Sequence, residues 1–243
     1  VNNISIENNL MNRVQNGVFA IGNQTNPSLN WNFSNNTIGS TVNAEKVIRG
    51  IALQSAQNFS ISGNTIAGVR STGANQVVGI LIGVSASNGI VTKNKISDVK
   101  CTSTTGNAIG INMNSSIPVS NILVANNFIS DVASNGNTTA IANGFGIAVQ
   151  FSGNFKIYNN SIHLNSNQTA VGGVPSAFFV AASYTTVAGL DVRNNIFANS
   201  QTVGTNRYAI YSEVLNNAFS NIDYNNYSSV APNLGFINNT NLA

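Results

Sequence analysis

The feature that most constrains this chain is a six-residue phrase, apolar-x-x-Asn-x-apolar, that returns eight times from end to end. It runs Ile6 to Met11, Phe33 to Ile38, Ile61 to Ile66, Val91 to Ile96, Val124 to Ile129, Ile157 to Ile162, Val192 to Phe197 and Ile222 to Tyr227. The fourth place is always asparagine: Asn9, Asn36, Asn64, Asn94, Asn127, Asn160, Asn195 and Asn225. These asparagines lie 27, 28, 30, 33, 33, 35 and 30 residues apart, a period that predicts a solenoid with one supersecondary unit per repeat.

Up to each asparagine, apolar residues alternate with small or polar ones, as in Asn58-Phe59-Ser60-Ile61-Ser62, the two-residue period of a strand with one buried face. A second phrase, Gly-apolar-x-apolar, begins at Gly17, Gly50, Gly79, Gly110 and Gly146, with Ala177 and Ala209 as variants. Each repeat therefore carries at least two short strands and no helical stretch to cover a sheet. Winding the chain into a coil solves the burial problem. Equivalent strands of successive turns pair in parallel at roughly 4.8 Å, and their inward side chains form one core. The reading is an all-β, right-handed parallel β-helix of about eight turns with an internal asparagine ladder.

The repeated asparagine has its own physics. Its short amide tolerates the left-handed backbone region needed to turn out of a strand, and it can bond local backbone. Stacked at one place in every turn, the amides can also bond one another. Trp31 is expected to pack inward beside Phe33, in a column with Ile4, Phe59, Ile122, Phe155 and Leu190. That column fails at Gly89, where Ile90 suggests a local bulge.

The Gly-Ile-x-Leu and Ile-x-Asn-Asn-x-Ile phrases resemble the repeats of right-handed parallel β-helix proteins, the pectate-lyase-like architecture, over essentially the whole chain. The Asn/Ser/Thr-rich style and the closing stretches Asp223-Tyr224-Asn225-Asn226-Tyr227 and Pro232 to Ile237 resemble large secreted β-helix proteins of Bacteroidetes-type bacteria. The latter resemblance implies export by the type IX secretion route and an extracellular or cell-surface location.

With 42% apolar residues over 243 and no linker, residues 1 to 243 read as one domain. Only 7% of residues are charged, so the surface is neutral and rich in amides and hydroxyls. Such a surface suits an extracellular setting and neutral polymers rather than nucleic acid. Lys93, Lys95, Lys100 and Arg70 make at most a small basic spot without interleaved aromatics. Cys101 is alone, and one cysteine with one histidine excludes an ordinary zinc cluster. No apolar run approaches a membrane span, and no signal-peptide pattern opens the chain. Because the chain begins inside a strand phrase and ends on Asn238-Asn239-Thr240 without a cap, a fragment of a longer polypeptide is expected.

Enzymes of the resembling fold generally work on the outer face of one sheet, with clustered carboxylates, Lys, Arg or calcium. The corresponding outward positions here are Phe19, Ile21, Ala52, Gln54, Leu81, Gly83, Asn112, Asn114, Ala148, Gln150, Phe179, Ala181, Tyr211 and Glu213. Glu213 has no second carboxylate on that face, and a lyase base with its charge-neutralising partner is missing there too. Asp98 and Asp131 occupy matching places in neighbouring turns. They could hold calcium or raise one pKa through like-charge repulsion, or stand as solvated carboxylates beside Lys100. A Ser130, His163, Asp131 grouping can be drawn without any orientation to support it. Phe179 and Tyr211 sit at matching outward positions, where a sugar ring could stack or where the insertion from Asn165 to Ser176 could cover them. Expected partners are other protein subunits, the remainder of a longer chain, or a polysaccharide. Neither nucleic acid nor membrane insertion is expected.

Overall fold

A computed structural model describes residues 1–42, 47–136 and 143–242. The chain coils through three parallel sheets, visiting each once per turn. The first sheet has eight strands, from Ser5–Glu7 to Phe219–Asp223. The second runs from Leu10–Met11 to Asn226–Ser229, and the third from Asn16–Ile21 to Gly235–Ile237. The architecture is an all-β right-handed parallel β-helix. Eight stacked strands have seven steps between them, so the coil makes about seven turns rather than the eight counted from the phrases. Among the described residues the only helix is the 3-10 turn Asn216–Ala218.

The first apolar place of each phrase lies in the first sheet and the last in the second, with Ile61 registered on Phe33 and Val91, and Ile66 on Ile38 and Ile96. Ile61, Ile66, Val91, Ile96, Val124 and Ile129 are all fully buried.

Between these columns the asparagines form a continuous ladder. Asn94 donates its backbone N–H and its Nδ2 to Oδ1 of Asn127, both at 3.0 Å, and its Nδ2 also to the carbonyl of Ile61 at 3.0 Å. The same pattern links Asn36 to Asn64, Asn64 to Asn94, Asn127 to Asn160, Asn160 to Asn195, and Asn195 to Asn225. Asn9 joins the bottom rung at 3.1 Å. Each interior amide uses both N–H donors and accepts twice on its oxygen, so its burial costs no unmet hydrogen bond.

The sequence reading put these asparagines in the left-handed region, and the structure corrects it. The residue before each one takes that conformation: Asn8, Asn35, Gly63, Lys93, Asn126, Asn159, Asn194 and Tyr224 have φ of 59, 55, 66, 58, 57, 55, 58 and 55°. The turn is made one place earlier, which frees the next amide to point inward.

Trp31 is buried, its ring 6.2 Å from that of Phe33, and its Nε1 donates to the Val1 carbonyl at 2.9 Å. Gly89 breaks that column because a Cβ there would lie 2.0 Å from the Phe59 ring. No bulge accompanies it: Ile90 pairs in register with Ser60 and Leu123 and turns outward. The register shift falls instead between Leu190 and Asp191.

The expectation of an uncapped C-terminal end is corrected for the third sheet, where Thr240–Leu242 folds back antiparallel on Gly235–Ile237. At the other end Ile4, Ile6, Val18, Trp31 and Phe33 border an open depression of about 460 Å³.

Candidate functional site

Alternation in the third sheet sends Ala52, Leu81, Asn112, Ala148, Phe179 and Tyr211 to the outer face, while Leu53, Ile82, Met113, Val149 and Val180 fill the core. The outer row is not open to water along its length. Leu81 and Phe179 are only 9% and 4% exposed, and together with Val78, Ile109, Phe145 and Ala148 they make a second apolar cluster. Burial within the single chain thus closes the middle of this outer face. Phe19, at the N-terminal end, remains 53% exposed.

Toward the C-terminus the outer aromatics stack. Ring centroids of Phe145 and Phe179 are 4.2 Å apart, those of Phe179 and Tyr211 6.1 Å, and those of Tyr211 and Phe236 4.8 Å. Both faces of the Tyr211 ring are met by other rings, leaving its edge for contact with anything else. Phe179 is buried inside this stack.

Tyr211 and Glu213 border a depression of about 490 Å³ whose opposite wall is Val171 to Val174, part of the Asn165 to Ser176 insertion. Polar contacts fix that wall. Gln168, buried, donates from Nε2 to the carbonyls of Ala170 and Gly172 at 2.7 and 2.6 Å, and the Val174 N–H donates to Oδ1 of Asn143 at 2.7 Å. Glu213 is oriented by the Ala182 N–H, which donates to its Oε2 at 2.9 Å. Burial, with Glu213 and Tyr208 nearby, raises the Tyr211 pKa above the ordinary phenol value.

Asp98 and Asp131 precede the paired residues Val99 and Val132 of neighbouring turns, and each carboxylate has a cation of its own. Both have positive φ, at 54 and 55°, and each carboxylate is engaged by a cation from the preceding turn. Arg70 binds Asp98 through Nη2 and, at 3.1 Å, through Nε, and Lys100 binds Asp131. Asp131 also accepts from the Ser166 hydroxyl, and its N–H donates to Asn165 Oδ1 at 2.7 Å. His163 is in register with Ser130, but its Nε2 meets the Ser200 hydroxyl at 2.8 Å. The Ser130, His163, Asp131 grouping does not form. No group of three or more His, Cys, Asp and Glu that could hold a metal ion occurs among the described residues.

Sequence reasoning missed a polar network on the outer face of the first sheet. Tyr158 donates to Asp191 Oδ2 at 2.5 Å, and Arg193 donates to both oxygens of Asp191 at 2.7 Å. The guanidinium lies 5.1 Å from the Tyr158 ring centroid. Lys156 registers on Asp191 and Arg193 on Asp223. Extending the outward alternation to the first sheet would have found these groups, whereas only the third sheet was read that way.

Compared with protein-family models, curated proteins and solved structures, the chain matches none. The coil is consistent with pectate-lyase-like folds in general. No helix among the described residues is long and apolar enough to cross a membrane.

Proposed function

We propose that this chain is a non-catalytic β-helix segment of a large secreted or cell-surface protein, serving there as a stalk, adhesin or assembly subunit. One observation carries the reading: the two acids that the repeat brings nearest to register, Asp98 and Asp131, are spent on ion pairs with Arg70 and Lys100 between turns. A glycosidase needs one carboxyl protonated and another free to attack or to activate water, and a lyase needs an unengaged base. In this arrangement the charges tie the turns of a rod together. The asparagine ladder runs the same way along the axis, and a neutral amide-rich exterior suits an extracellular setting.

The test is an assay of the chain against uronate-containing and neutral polysaccharides, with Asp98→Asn and Asp131→Asn beside the parent. No turnover by any of the three is expected. Turnover by the parent that is lost in either variant would replace the scaffold reading with a polysaccharide lyase or hydrolase.

A further inference from the structure

The depression beside Tyr211 and Glu213 has a chemistry that a scaffold does not require. Its wall is held by the buried amide of Gln168 and by Asn143 rather than left as a free loop. Its borders offer a phenol edge, the Thr205 hydroxyl, the Asn206 amide and the backbone of Gly172 and Gly173. Among the described residues that border it, Glu213 is the only charged one.

We propose that this depression binds a saccharide carrying a primary ammonium group, with Glu213 receiving the ammonium. An ionised carboxylate has about four lone-pair sites, and the Ala182 N–H occupies one of them while fixing the side chain. The remaining sites accept charge-assisted hydrogen bonds, roughly twice as strong as neutral ones. The Tyr211 phenol, its pKa raised, stays protonated at neutral pH and can exchange hydrogen bonds with a hydroxyl. A single acid among hydroxyl, amide and phenol groups matches one positive charge flanked by hydroxyls. A lysine side chain would satisfy the carboxylate and leave the other polar groups without a partner. Ring stacking does not contribute, because Phe179 and Phe236 meet both faces of Tyr211.

The experiment is isothermal titration of the 243-residue chain with a β-1,4-linked glucosamine tetramer, its fully N-acetylated form and a tetralysine peptide. The glucosamine tetramer should bind at least about tenfold more tightly than either of the others, the scale of one charge-assisted bond. Glu213→Gln keeps the acceptor for Ala182 and should abolish the preference over the acetylated tetramer, with an unchanged melting temperature. Absence of binding, equal affinity for the two tetramers, tetralysine binding as tightly, or a preference that survives Glu213→Gln would each overturn the proposal.

Discussion

Gly110 of the third sheet and Ile129 of the second compete for one space: a Cβ on Gly110 would stand 2.6 Å from Cγ2 of Ile129 and 2.5 Å from the Gly146 carbonyl oxygen. The relationship repeats along the coil, with Gly17 against Ile38, Gly50 against Ile66, Gly79 against Ile96 and Gly146 against Ile162. Where the isoleucine column continues as Phe197 and Tyr227, which have no Cγ2, the glycine column continues as Ala177 and Ala209. Glycine accompanies a β-branched partner and alanine an aromatic one.

Gly110→Ala should therefore destabilise by about 1 to 3 kcal/mol through overpacking. Ile129→Phe in the same background should recover at least about 0.5 kcal/mol relative to the sum of the two single changes, because it recreates the Ala177 and Phe197 pairing. Chemical denaturation of the four proteins measures the coupling, and strict additivity would show that the two columns are independent. In the same series Ile129→Ala should cost about 2 to 5 kcal/mol, while Ser130→Ala, half-exposed one residue on, should be near neutral.

That pairing was legible in the sequence, since the Gly and Ala variants and the Ile, Phe and Tyr variants stand in the same repeats. Strand alternation places both columns in one core but does not say which residue of one sheet faces which residue of the next. The ladder was legible because an asparagine fixed in register eight times leaves a buried, self-paired column as the economical reading. The engagement of Asp98 by Arg70 was not legible. It links residues 28 apart across neighbouring turns, and equal spacing alone suggested a pair of acids instead. Strand alternation reports the face and not what lies over it, so the burial of Leu81 was not legible, and that of Phe179 was legible only as one of two alternatives, through the insertion from Asn165 to Ser176.

Asn127 shows what the ladder contributes. Its Oδ1 takes two bonds from Asn94 at 3.0 Å, and its Nδ2 gives one each to the Val91 carbonyl and Asn160 Oδ1 at 2.9 Å. Asn127→Leu leaves these buried partners unmet at about 1 to 3 kcal/mol for each group, so a loss of at least about 3 kcal/mol is expected. Asn127→Asp should be no better, because it sets a buried charge against two acceptors. Asn9→Ala, at the exposed bottom rung, should cost under about 1 kcal/mol. Melting of the three variants decides, and similar losses at Asn9 and Asn127 would mean that the ladder does not gain its strength from burial.

Alkaline pH should weaken the fold. Burial raises the pKa of Tyr184, whose hydroxyl donates to the Gly153 carbonyl at 2.8 Å, and burial pushes Tyr227 up to about 12. Both phenols are thus favoured as neutral groups in the folded chain relative to an unfolded value of about 10. Their contribution is complete below that value and is lost as pH rises through the folded one. The melting temperature should fall between about pH 10 and about pH 12, and Tyr184→Phe should flatten part of that fall. The variant should also lose about 1 kcal/mol at neutral pH with the missing hydrogen bond. An alkaline limb identical in parent and variant would show that Tyr184 does not contribute to it.

Lys93 is a misfit in the column that makes the turn before each ladder asparagine. Five of the eight places there are asparagine and one is glycine, yet Lys93 holds φ at 58° with its side chain exposed. The left-handed region costs an ordinary side chain roughly 1 to 2 kcal/mol, and asparagine bears part of that through local hydrogen bonds. Lys93→Asn should therefore stabilise by about 1 kcal/mol, raising the melting temperature of a chain this size by about 2 to 4 °C. Asparagine is the better choice than glycine, because glycine would also widen the unfolded ensemble. Lys95→Asn, two residues on in the strand Lys95–Cys101, removes the same charge where φ is not limiting and should give no gain. If both variants rose together, charge rather than backbone conformation would be the cause. If Lys93→Asn lowered the midpoint, the lysine would be making a contact worth more than the strain it carries.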